Sequence, residues 1–182
     1  QAIAVAVEAT KAMMNSFESL EGTSQCKDIT HCDFNSKLSF TKYMVTGRFL
    51  HCFQLAEDWA PLAVAEAKKA LAAKPYDFQN AMSCASEVAR IMGASEEEKV
   101  MVAGFAGGLG LSGNACGGLA AAVWMNALDW CKEHEKESAT KDPMAKMRLN
   151  FFKLHSKDQF LCSEITGRQF SDLSEHTDYL KK

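Results

Sequence analysis

Three prolines in 182 residues leave few enforced breaks, so long helices are permitted. No apolar run approaches the roughly 20 residues that a bilayer-spanning helix needs, and no membrane span is expected. Neither sign of charge dominates: 20 Lys and Arg against 23 Asp and Glu give a net charge of -3. A nucleic-acid partner is therefore not expected. C-x-x-C-H is missing, which removes the covalent haem signature, and C-x-x-C is missing too. Convincing runs of alternating polar and apolar residues are also missing, so no strands are expected. The start, QAIAVAVEATKAMM, has no basic region before its apolar residues and turns amphipathic at once. It reads as mature sequence rather than a signal peptide. Lacking an initiator Met, the chain is expected to be processed or incompletely represented.

What the chain does have is cysteine: Cys26, Cys32, Cys52, Cys84, Cys116, Cys131 and Cys162. The number is odd and the chain is not a short, loop-rich disulfide scaffold. In a reducing, cytoplasmic setting such a set points to metal binding or redox work. Free cysteine is also a small buried hydrophobe, and that reading stays open for each position. Hydrophobic residues at 47% and charged residues at 24% describe an ordinary globular chain.

Apolar residues recur at helical spacing. Val7, Met14 and Phe17 mark a first helix that stops near Gly22. A second helical region spans about Leu38 to Ala73, interrupted or kinked near Pro61. Asp77 is placed to cap a helix containing Phe78, Met82, Ala85, Ala89 and Met92, with Gly93 at its end. Ser95 and Glu98 form a capping box for the next helix. Asn114 or a neighbour caps a long helix through Ala120, Trp124, Leu128 and Cys131. Pro143 fits the first turn of a helix from Met144 to His155. The fold class is all-α, a bundle of about six helices. An internal echo, Cys26-Lys-Asp-Ile-Thr30 against Cys162-Ser-Glu-Ile-Thr166, points to a partial repeat. Residues 1–73 then read as a partial helical unit and 76–182 as a fuller one.

Seven of the eleven glycines fall between Gly104 and Gly118, around Cys116. Gly108-Leu-Gly-Leu-Ser-Gly113 matches G-x-G-x-x-G, but the dinucleotide fingerprint needs a strand before it, and SEEEKVMVAGFAGG reads as helix. The glycines could simply let two helices meet closely. A third reading gives Cys116 the first turn of a helix, where unpaired N–H groups favour an anion and hence a thiolate. Gly113, Gly117 and Gly118 would then leave room for a bound group and offer it backbone N–H donors.

Cys84-Ala-Ser-Glu-Val, Gly104-Phe-Ala-Gly-Gly-Leu-Gly, Cys116-Gly-Gly-Leu-Ala-Ala and Cys162-Ser-Glu-Ile-Thr-Gly, in that order, resemble the C-GCAxxG-C-C family of redox-active proteins. The resemblance covers about Tyr76 to Gln169. It implies a small helical domain with four characteristic cysteines, a metal or iron–sulfur centre, and electron transfer. The related split-Soret cytochromes add haem. Cys84, read alone as a core residue, becomes with Cys116 and Cys162 an implied ligand. No fourth family cysteine follows Cys162. Cys26 resembles the family's third cysteine and Cys52 its fourth, so either could complete four ligands. The resemblance thus leads to the expectation of either an excerpt of a tandem protein or a partial unit that lends ligands to the full one.

The leading expectation is an iron–sulfur protein passing single electrons to a partner oxidoreductase, with a homodimer sharing two sites as one arrangement that seven cysteines allow. A structural zinc module is one alternative. A thiol–disulfide oxidoreductase using Cys116 and a sequence-distant partner is another. Cys131 and His134 have metal-compatible i, i+3 spacing, but CKEHEKE reads as a solvated face.

Overall fold

The structure, a computed structural model, describes residues 1–73 and 80–182. It is all-helical, with no strand among the described residues. The chain divides into two compact units, Ala12–Ala73 on one side and Gln1–Lys11 with Lys74–Lys182 on the other.

The smaller unit begins inside α1 (Ala2–Glu21), which ends where expected, at Gly22 with φ +73°. A five-residue helix follows, α2 (Cys26–Thr30), and then α3 (Lys37–Val45), capped by the Ser36 hydroxyl accepting from the Ser39 N–H. α4 (Phe49–Ala72) passes through Pro61 without a break. The expected interruption lies instead at Gly47, whose φ of +70° ends the helical path between α3 and α4. Phe17 and Trp59 meet edge to face at 5.1 Å and tie α1 to α4 within this unit.

In the larger unit, α5 (Cys84–Ile91) packs against α6 (Glu96–Ala103) and α7 (Gly117–Glu133). Ala85, Ala89, Val102, Ala121 and Met125 form the shared core, and its small residues let the three helices approach closely. Ser95 and Glu98 make the expected capping box. Three boundaries differ from expectation. α5 is capped by Ser83, so Met82 precedes the helix, and Asp77 lies outside the described residues. The N-cap of α7 is Cys116 rather than Asn114. Pro143 precedes α8 (Ala145–Ser156), whose N-cap is Met144. Two short helices complete the unit, α9 (Cys162–Thr166) and α10 (Leu173–Leu180).

A second core joins Ala4 and Val7 of α1 to Ala106, Leu111, Cys162, Phe170 and Leu173. It requires α1 to lie directly on the glycine turn. A Cβ on Gly110 would sit 2.5 Å from the Lys11 backbone nitrogen, and Gly110 has φ +61°. Gly22 also has positive φ but has nothing within 4 Å of its Cβ position. Gly22→Ala is therefore expected to cost about 1 kcal/mol and Gly110→Ala about 3 kcal/mol or more, since backbone strain is joined there by overlap. Denaturant unfolding of the two variants checks the difference.

Candidate thiol site

Between α6 and α7 the backbone takes a left-handed path. Gly107, Gly108, Leu109, Gly110 and Leu111 all have φ between 57° and 85°. Glycine accepts this region freely, whereas each leucine is strained by about 1–2 kcal/mol. Burial of Leu111 against Ala106 and Phe170 offsets its share. Backbone bonds from Gly110 N–H to Gly104 O (2.8 Å) and from Leu111 N–H to Ala106 O (3.0 Å) close the turn.

The turn gathers three helix starts, each marked by a cysteine. Cys84 is the first residue of α5, Cys116 the N-cap of α7, and Cys162 the first residue of α9. Cys84 is therefore not mid-helix, and Cys116 stands one residue before the first turn. Helix starts present unpaired N–H groups and the positive end of the macrodipole, an environment suited to anions in general. The Gly107 amide acts on the Cys84 thiol in the direction that favours thiolate. A Cβ added at Gly117 would reach to 3.3 Å from Cys84 Sγ and would overlap the Phe105 carbonyl. Gly117 thus lets Cys84 lie over the start of α7, beside Cys116. Gly118 borders the Cys116 sulfur, a Cβ there falling 3.9 Å from Sγ. Gly113 acts through its carbonyl, which accepts the N–H and the hydroxyl of Ser163, each at 3.2 Å. That pair seats α9, and with it Cys162, on the turn.

The thiols feel one another. Burial pushes Cys84 above the ordinary cysteine range, and the neighbouring Cys116 raises it further, against the lowering effect of the Gly107 N–H. Cys162 is pushed up to about 11, first by burial and then by Cys84 and Cys116. Both thiols hold their protons at neutral pH. A cation entering here must displace them, and it would relieve the repulsion between the resulting thiolates.

Residues outside the expected motif hold Cys84 in place. Just before α5, the Met82 N–H donates to Thr177 Oγ1 at 3.1 Å, and His176 Nδ1 donates to the Met82 carbonyl at 3.3 Å. Ser83 Oγ donates to Ala103 O at 3.1 Å while accepting from the Ser86 N–H. Ser83, His176 and Thr177 are all buried. Burial also lowers His176, keeping the imidazole neutral in its seat. The sequence did carry a signal for Ser83, a residue type that prefers the N-cap. His176 and Thr177 sit in a polar C-terminal segment and had none.

Cys26 and Cys52 lie in the smaller unit, in α2 and α4, with Tyr43 between them in the chain. The Tyr43 hydroxyl is 3.4 Å from Cys52 Sγ. Tyr43 is pushed up to about 12, chiefly by that bond and then by burial, with Cys26 and Cys32 adding to it. Cys131 is exposed, and His134 stacks on Trp130 at 3.8 Å, so the CKEHEKE segment is a solvated face. Among the described residues there is no group of three or more His, Cys, Asp or Glu that could hold a metal ion. The three thiols around the turn nevertheless lie close enough to influence one another's protonation.

His176→Leu with Thr177→Val is expected to raise alkylation of Cys84 in metal-free protein about fivefold, the equivalent of one net hydrogen bond. Cys131 should not change, and His176→Asn with Thr177→Ser should restore the slower rate. Peptide-resolved mass spectrometry of alkylated protein reads all of these rates.

No curated protein and no solved structure matches the chain. A family model does match, over residues 78–182, which include Cys84, Cys116, Cys162 and the whole glycine turn. Its description is "Putative redox-active protein (C_GCAxxG_C_C)", and the chain belongs to that family.

Proposed function

We propose that the larger unit binds an iron–sulfur cluster through Cys84, Cys116 and Cys162 and passes electrons to a partner oxidoreductase. One observation carries this reading: three thiols at three helix starts lie around one left-handed turn, close enough to act electrostatically on one another. A bound cluster would supply reversible one-electron chemistry. The chain's own residues do the rest. Three helix N-termini and the Gly107 N–H stabilise the sulfurs once their protons leave. Gly117 and Gly118 keep the approach free of side-chain bulk. Three thiolates leave one iron open to a further ligand, since four cysteines are the rule.

A metal-free dithiol is the second reading, favoured by Cys84 lying over the start of α7 next to Cys116. In that case the two thiols would join as a disulfide, giving up two protons and two electrons to a disulfide-class oxidant.

Anaerobic reconstitution followed by iron and sulfide analysis tests the proposal. The unaltered chain is expected to take up both and to turn brown. Cys84→Ser, Cys116→Ser and Cys162→Ser should each lose most of the iron, and Cys131→Ser should lose none. Absence of iron and sulfide in the unaltered chain overturns the proposal. A two-electron potential in the metal-free protein, lost in Cys116→Ser, would put the dithiol in its place.

A further inference from the structure

The echo between the two units extends well past five residues. Residues 26–45 align with 162–181 without a gap. Cys26, Ile29, Thr30, Phe34, Thr41 and Tyr43 recur as Cys162, Ile165, Thr166, Phe170, Thr177 and Tyr179. The local structure recurs with them. Both stretches open with a five-residue helix whose threonine hydroxyl donates to the cysteine carbonyl at 2.7 Å. Both helices end in a left-handed residue, His31 or Gly167. Both second helices, α3 and α10, are capped at matching positions by Ser36 and Asp172. Each phenylalanine packs on its tyrosine, at 5.5 Å for Phe34–Tyr43 and 5.3 Å for Phe170–Tyr179.

The two copies differ in what covers them. In the larger unit, α9–α10 is a clasp closed over Ala81–Cys84, the glycine turn and the start of α1. Phe170 is 3% exposed and His176 2%, with Cys162 and Thr177 also buried. In the smaller unit the matching positions face outward. Phe34 is 48% exposed and Phe40 45%, and Cys26 and Thr41 are exposed as well. The Thr41 hydroxyl, whose counterpart grips Met82, turns back to Lys37 O in its own helix. Two clasps are present, and among the described residues there is one receptor, which α9–α10 already fills.

We propose that α2–α3 is an open clasp that docks a helical segment of the same make as residues 81–121. Such a segment has a serine- or threonine-capped helix starting at cysteine, followed by a glycine turn leading to a second cysteine. Docking would bury Phe34 and Phe40 and bring Thr41 to the backbone ahead of the partner's helix. Cys26 would then meet two thiols placed as Cys84 and Cys116 are. The proposal stands on the packing of the two copies and does not need the bound cluster.

The test opens the receptor of the full chain. Phe170→Asp with His176→Asp unseats α9–α10, and the freed receptor is expected to take up α2–α3 of another copy. Sedimentation velocity of metal-free protein should show association in this variant, absent from the unaltered chain. Adding Phe34→Asp and Phe40→Asp should return it to the unaltered sedimentation. Should circular dichroism show lost helix, His176→Ala with Thr177→Val is the milder opening. A helical variant that does not associate overturns the proposal. So does association or aggregation that persists when Phe34 and Phe40 are changed. Iron content enters neither readout, so failure here is separate from failure of the redox reading.

Discussion

The left-handed turn from Gly107 to Leu111 is the constraint on which the larger unit depends. A right-handed or extended path would not bring the end of α6 back toward the start of α7 within so few residues. The turn also gives up side-chain volume where α1 lies on it, at Gly110, and where Cys84 lies over α7, at Gly117. Two leucines share the strained backbone, and the burial of Leu111 is part of what holds it. Packing, close approach and strain meet at the point where the thiols converge. The chemistry and the fold therefore rest on the same few residues.

The electrostatics of the site run in two directions. Helix starts and the Gly107 N–H favour thiolate, while burial and mutual repulsion favour thiol. For Cys84 and Cys162 the second pair prevails. A site balanced in this way is quiet when it holds only protons and gains most from a positively charged group. The seating of Cys84 by His176 and Thr177 holds the thiol from outside its own helix.

Much of this was legible in the sequence, for reasons that differ by residue. Ser95 and Glu98 announce a helix start because the capping box is local. Gly22 and Gly93, with φ of 73° and 87°, stop helices because only glycine takes such angles cheaply. The order of cysteines and glycines carried the family. Pro61 does not interrupt α4, because one missing N–H in a 24-residue helix does not outweigh its remaining bonds, whereas Gly47 ended the path without drawing notice. The helices α2 and α9, five residues each, are too short for apolar periodicity to report. The repeat was visible only as CKDIT and CSEIT. Its continuation through Phe34 and Phe170 to Tyr43 and Tyr179 keeps backbone geometry more faithfully than side-chain identity.

Around the glycine turn, Cys84, Cys116 and Cys162 are proposed to act as one site. The most direct measurement is the pH dependence of Cys162 alkylation, resolved by peptide, in the unaltered metal-free chain and in Cys84→Ser with Cys116→Ser. Cys162, at about 11, is raised by burial and then by its two neighbours. Removing both neighbours should shift its profile to lower pH, though not fully to the ordinary value, because burial remains. An unchanged profile in a folded variant would mean that the three sulfurs do not share a site.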